Sequence, residues 1–315
     1  MIAKYRVDLA LLVVAVVWGA SYLVAKSITP FASVPAMLAV RFTLAGVIMF
    51  AVWLFRREPF SKADVVLGTL FGVTQAAIML VETYGLKETS ATNAGLLISL
   101  TIIFTPILES AWSRRWLPRG YFIAVTVSLV GVMLLVSGNG FKAPNYGDLL
   151  MLAAALIRTF HVTAQGRFTK GRKVSSFNAI SLQMLVCGLI YFALDVPGTF
   201  DAIHTFALAQ WSATLFLILF CTIFAFATQL WAIRKTSASR ASLLLSTEPV
   251  WAVVIASVFG GELLGPIGIF GALLIIGASL VGQRIEQRHH ALDDLDRGLF
   301  GGRCVGFHLV VGAMQ

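Results

Sequence analysis

The sequence predicts an all-α membrane protein: ten transmembrane helices built as two inverted five-helix repeats. Three observations predict it: too many apolar residues for a water-facing surface, ten apolar runs of spanning length, and a likeness between the two halves of the chain. Of the 315 residues, 58% are hydrophobic and 12% charged. Soluble chains carry about 45–50% apolar and about 25% charged residues, so lipid must be the solvent for most of this surface. A formal charge of +9 would suit a nucleic-acid binder, but the basic residues sit in short gaps between apolar runs. They read as topological signals, and nucleic acid is not an expected partner. Cys187 and Cys221 lie inside apolar segments and Cys304 is alone near the end, so neither a disulfide framework nor a metal site is implied.

A crossing helix needs about 20 mostly apolar residues, because the hydrocarbon is about 30 Å thick and each residue rises about 1.5 Å. Runs of this kind cover residues 8–27, 34–55, 63–84, 90–112, 120–137, 147–168, 176–194, 211–232, 238–259 and 265–283. The first follows Lys4 and Arg6 like a signal peptide, yet its apolar core runs past Trp18 into Tyr22, Leu23 and Val24, so it is expected to stay uncleaved. Turn and charge residues separate the others. Thr29-Pro30, Arg56-Arg57-Glu58-Pro59, Lys87-Glu88-Thr89, Arg114 to Pro118 and Gly138 to Pro144 punctuate the first half. Arg167 to Lys173, Val196-Pro197-Gly198 and Arg234 to Thr236 punctuate the second.

Counted over these loops and the tail, nineteen Lys and Arg fall on the side of the N-terminus and three, Lys26, Lys87 and Lys142, on the other. The positive-inside rule then places both termini in the cytoplasm. Beyond about residue 284 the chain turns polar, and its closing Leu309-Val310-Val311 is too short to span.

The halves resemble each other at a shift of about 140 to 147 residues. Asp8-Leu9 matches Asp148-Leu149, and Tyr84-Gly85-Leu86-Lys87-Glu88-Thr89-Ser90-Ala91 matches Trp231-Ala232-Ile233-Arg234-Lys235-Thr236-Ser237-Ala238. Residues 1–145 form a first five-span repeat, 146–284 a second, and 285–315 a polar cytoplasmic tail. An odd number of spans makes the second copy enter from the opposite face, as in secondary transporters whose halves rock about a midplane site.

In this order the motifs resemble the EamA family of the drug/metabolite transporter (DMT) superfamily, over about residues 8 to 283. The residues that carry the resemblance are Val17-Trp18-Gly19-Ala20-Ser21-Tyr22, Ala39-Val40-Arg41-Phe42, Glu248-Pro249-Val250-Trp251-Ala252, Gly260-Gly261-Glu262 and the Gly-rich stretch from Gly268 to Gly277. The resemblance implies a multi-pass permease of the inner (plasma) membrane for metabolites such as amino acids or related small polar compounds, often an exporter. Two features depart from the pattern: Arg114-Arg115 stands where the second half has Gly261-Glu262, and the tail after about residue 290 matches nothing in the family.

Charges at membrane depth cost about 2.5–3.5 kcal/mol on insertion scales, so those retained face a cavity or a partner. Arg41, Arg158 and Glu248 qualify by position. Glu248 is either a carboxylate that holds a cargo amine or exchanges a proton, or one half of an ion pair with Arg158 or Arg41. Arg158, His161 and Gln165 share one helical face, where the arginine either grips a cargo carboxylate or neutralises Glu248. His161 is either a hydrogen-bonded core histidine or a proton relay. Arg41 matches the family's span-two arginine, and either serves the site or locks the fold.

Pro249, beside Ser246 and Thr247, and Pro106, beside Thr101 and Thr105, are expected to break or kink their spans next to a central cavity. Trp18, Tyr22, Tyr84, Trp231 and Trp251 either line the path or belong to the interfacial belts. Gln75, Gln183 and Gln229 need polar partners that lipid does not offer. Ala124 with Ser128, and Ala278 with Gly282, have the spacing of close helix contacts.

The expected function is secondary transport of a small polar or zwitterionic metabolite by alternating access, powered by protons or by the substrate gradient, with the lipid bilayer and the substrate as partners and no cofactor. The alternative is a multi-span membrane enzyme or lipid-handling protein. No clustered acid, His or Cys set supports that alternative, so an enzyme is not expected.

Overall fold

In hydrocarbon a backbone must satisfy its own hydrogen bonds, and helices do so within one segment. The computed structural model describes residues 2–88, 97–98, 100–114, 116–137, 145–260, 265–282, 284–286 and 288–289, and every regular element among them is helical. Inside those helices the side chains of residues 2–4, 22, 26, 135–137, 252–253, 256–257 and 259–260 are not described. The first half carries α1 (Ile2–Ile28), α2 (Val34–Arg56), α3 (Lys62–Glu88), α4 (Thr101–Ser113) and α5 (Arg119–Ser137). The second carries α6 (Tyr146–Thr169), α7 (Ser176–Leu194), α8 (Val196–Thr205), α9 (Leu208–Lys235), α10 (Ala238–Leu245), α11 (Glu248–Gly260) and α12 (Pro266–Glu286).

Among the described residues, seven helices are individually long and apolar enough to cross a membrane: α1, α2, α3, α6, α7, α9 and α12. The chain is therefore a multi-pass membrane protein. The loop before the fourth run, and nearly all of the tail with Leu309 to Val311, lie outside the described residues.

Side-chain caps set several boundaries. The Ser33 hydroxyl accepts the Ala36 N–H at 3.2 Å to open α2, and Arg57, in a left-handed conformation at φ 50°, closes it. Asn145 and Asp148 form a reciprocal capping box at the start of α6.

One expectation is corrected. Val196-Pro197-Gly198, read as a loop, begins α8: Pro197 sits in its first turn, where no N–H is needed, and the Asp195 carboxylate accepts the Gly198 N–H at 2.9 Å. The ninth run, expected to break or kink beside Pro249, holds two helices, α10 and α11, separated at residues 246–247.

The core forms where α2 packs on α7 and α3 packs on α6 and α7. Glycine lets α2 and α7 touch through their backbones, since a Cβ on Gly188 would lie 2.8 Å from the Thr43 nitrogen. Phe42 packs on Tyr191 and Phe226, and the Tyr191 hydroxyl donates to the Ala76 carbonyl at 2.8 Å. The small-residue spacings in the fifth and tenth runs do mark a close contact: Gly282 approaches Ala124.

Asp195 also joins α7 and α8 to α2 by accepting from the Ser33 hydroxyl. That bond, together with the Gly198 N–H, holds the Asp195 carboxyl below its ordinary value. A carboxylate whose folded pKa is depressed stabilises the fold above its unfolded pKa of about 3.9 and loses that contribution as pH falls through the folded value. Thermal melts of wild type and Asp195→Asn should differ at neutral pH and converge as the pH is lowered below about 4. A constant gap across that range would show that the ionised carboxylate is not the stabilising form.

Candidate functional site

The site is built around an irregular turn of α9. Residues Leu217–Phe224 adopt the wider π-helical pattern, which takes backbone carbonyls out of the ordinary α ladder and recurs at functional sites. Two helices from the first half dock there. The Trp18 indole N–H of α1 donates to the Cys221 carbonyl at 3.0 Å. The Arg41 Nε–H of α2 donates to the Thr222 hydroxyl at 2.6 Å, and that hydroxyl donates back to the Leu217 carbonyl at 2.8 Å. Arg41 is buried and lies 5.4 Å from the centre of the Phe42 ring.

Next to Trp18 is an ion pair. Arg158 of α6 donates from Nη2 to Glu82 Oε2 of α3 at 2.6 Å, with side-chain exposures of 19% and 7%. The guanidinium carbon sits 5.9 Å from the centre of the Trp18 ring, within cation–π range. One turn along α6, His161 Nδ1 is 2.6 Å from the Thr74 hydroxyl, and the Phe71 ring meets the imidazole edge-on at 5.7 Å. The Thr74 hydroxyl also lies 3.0 Å from the Leu70 carbonyl, and His161 Nε2 is buried with no hydrogen-bond partner.

The break between α10 and α11 completes the polar interior. Pro249 in the first turn of α11 has no N–H and so leaves the Leu245 carbonyl without its usual α-helical donor, and the chain breaks just before it at residues 246–247. Neighbouring hydroxyls take up freed carbonyls: Ser246 donates to Leu243 at 2.6 Å, Thr247 to Leu244 at 2.9 Å, and Ser279 of α12 to Leu243 at 3.1 Å. Glu248, the first residue of α11, is buried.

Among the residues singled out from sequence, Trp18 and Arg41 meet at the π turn and Arg158 packs on Trp18, while His161 sits one turn along α6 against Thr74 and Phe71. Arg158 pairs with Glu82, which the sequence reading passed over. Drawing the third span to residue 84 put Glu82 near its end, whereas α3 continues to Glu88. Thr74 and Thr222 were also missed, and a single hydroxyl in an apolar run carries no signal of its own.

Gln75, Gln183 and Gln229 are buried, and both amide atoms of Gln183 have no partner. Trp251 is half-buried with its indole nitrogen unpartnered. Tyr84 and Trp231 are exposed on the bundle surface and take no part in these contacts, while the Tyr22 side chain lies outside those described. Pro106 lies inside α4, which runs through it without interruption, so that span is not broken there. Pro249 does coincide with a break.

Relatives of this chain are transporters by name. An "Uncharacterized transporter" of Archaeoglobus fulgidus is 28% identical over 291 residues, covering 89% of this chain and 86% of the relative. "Uncharacterized transporter YetK" of Bacillus subtilis is 27% identical, covering 84% and 82%. "Uncharacterized inner membrane transporter YedA" of Escherichia coli is 23% identical, covering 82% and 84%. A chain of known crystal structure, 20% identical, superposes with a TM-score of 0.73 over 90% of this chain and 98% of that one, which shows a shared fold. The profile of the EamA-like transporter family matches twice, at residues 6–137 and 145–281. The chain belongs to the EamA-like transporter family, and its function class is membrane transport.

Proposed function

We propose that the chain is a secondary carrier that exports a small polar metabolite by alternating access, with ten spans in two inverted five-helix repeats and both termini in the cytoplasm. The double family match supports the duplication, and the surplus of Lys and Arg on the N-terminal side supports the orientation. The family resemblance favours export. A buried polar cluster between elements of both repeats is where a rocking carrier holds its cargo.

One observation carries this reading: Arg158 and Glu82 form an ion pair between two apolar helices, beside the Trp18 that docks on the π turn. Arginine presents a planar fork that suits a carboxylate, and Glu248 at the start of a half-helix supplies an opposing acid for an amine or for the coupling proton.

The test is flux in vesicles carrying wild type, Arg158→Ala or Glu248→Gln, with a metabolite mixture on one side and mass detection on the other. Truncating one member of a buried charged pair costs about 2–5 kcal/mol, so flux through Arg158→Ala should fall more than about tenfold. Unchanged flux in both variants would remove this site from the transport cycle.

A further inference from the structure

We propose that the outer groove between α5 and α12 seats one anionic phospholipid, with an acyl chain lying in the groove and the phosphate gripped by Arg119, Arg284 and Arg288.

The groove follows from small residues. The two helices run antiparallel and touch where a Cβ on Gly131 would lie 2.8 Å from the Gly271 carbonyl oxygen, and again where one on Gly282 would lie 3.4 Å from the Ala124 Cβ. Beside this line of contact a trough of about 300 Å³ remains, lined on α5 by Gly120, Ile123 and Val127 and on α12 by Leu273, Gly277 and Val281. Gly277 keeps it open, since no atom lies within 4 Å of a Cβ built there. These side chains are hydrocarbon or absent, so the trough offers dispersion contact to a run of methylenes and no hydrogen bond.

Charge is confined to one end. Arg119 stands four residues before Ile123 and eight before Val127, on the same face of α5. Arg284 stands three residues after Val281 and seven after Gly277, with Arg288 one turn further on, so the stripe of α12 runs into two arginines. Gly120 approaches Ile285, so the start of α5 meets the end of α12 and the three arginines share one mouth of the groove. All three are exposed, and among the described residues none of them has an ion-pair partner. Glu286, which lies between two of them in sequence, is buried and accepts from the Ser237 hydroxyl. Trp116, exposed beside Phe122 and three residues before Arg119, is the kind of ring that sits at headgroup level.

A lipid with a charged phosphate and long chains complements both parts. Guanidinium forks suit a phosphate, and basic pockets between membrane helices hold anionic headgroups. With the termini cytoplasmic, as proposed, this mouth faces the more anionic leaflet. A second copy of the chain fits less well. Two copies inserted in the same direction and packed face to face on this groove would bring both sets of three arginines together.

The test uses the full chain, purified in a neutral detergent and stripped of lipid. Dioleoylphosphatidylglycerol, dioleoylphosphatidylcholine and glycerol phosphate are compared by thermal stabilisation and by native mass spectrometry, which counts bound lipids and chain copies. Wild type should hold one phosphatidylglycerol about tenfold more tightly than phosphatidylcholine, and glycerol phosphate should stabilise it far less than either. Combining Arg119→Gln, Arg284→Gln and Arg288→Gln should erase the preference, and Gly277→Leu should weaken both lipids by filling the groove.

Equal affinity of wild type for the two lipids, or a preference that survives the triple substitution, overturns the proposal. Stabilisation by glycerol phosphate equal to that by phosphatidylglycerol would make this a free-phosphate site and overturn it too. So would a wild-type dimer that Gly277→Leu converts to monomers with the lipid preference intact, because the groove would then belong to a second copy. If the triple variant fails to fold, Arg284→Gln alone decides: a reduced preference supports the lipid seat and an unchanged one overturns it.

Discussion

Replacing Arg240 with Ala should cost about 3–5 kcal/mol of stability, the loss expected when one partner of a buried ion pair is left alone. Arg240 lies in α10 with a side chain only 3% exposed, and its guanidinium grips Asp8 of α1 with Nη2 to Oδ2 at 2.5 Å and Nε to Oδ1 at 3.0 Å. In sequence it passed as one more loop charge, yet it closes the end of the bundle at which α1 begins. The same short helix is held by Glu109, which accepts the Ser239 N–H at 2.7 Å, and by Glu286, which accepts from the capping Ser237 hydroxyl. Three carboxylates from α1, α4 and α12 thus converge on α10. Unfolding of the detergent-solubilised protein should show the loss as a lower midpoint, with partial recovery when Asp8 and Arg240 are exchanged. A midpoint within about 0.5 kcal/mol of wild type would mean the pair is effectively solvated.

The second large effect is expected at Gly188, where leucine should separate α2 from α7. A Cβ there would lie 2.8 Å from the Thr43 nitrogen and 2.9 Å from its Cα, and backbone cannot rotate away as a flexible side chain would. Overpacking costs about 1–3 kcal/mol where the surroundings can adjust, and more where they cannot, so Gly188→Leu should fall at or beyond the top of that range. Gly277 is the control. No atom lies within 4 Å of a Cβ built on it, so Gly277→Ala should leave the midpoint unchanged or raise it slightly. Equal effects at the two positions would refute the close-approach argument.

What could be foreseen from the residues follows from where a charge or a proline stands out. Arg41 and Arg158 lie in long apolar runs, so their depth was evident, and Pro249 announced the irregularity next to Glu248. Glu82 was hidden because a carboxylate close to an apparent span end looks like an interfacial residue. Asp195 and Pro197 carried the start signal of α8, but Pro-Gly reads first as a turn. The wide turn of α9 has no signature in Leu217–Phe224 at all, because Trp18 and Arg41 are brought to it only by packing.

That turn also governs how α9 can be divided between two environments. One additional residue in a turn rotates everything beyond it by about 100° relative to a continuous α-helix. The apolar side of Leu208–Phe216 and the inward side bearing Phe226 and Gln229 therefore need not share a single stripe. Deleting one residue between Leu217 and Phe224 would bring the two ends into phase, and would point toward acyl chains an amide that now lies inside the protein.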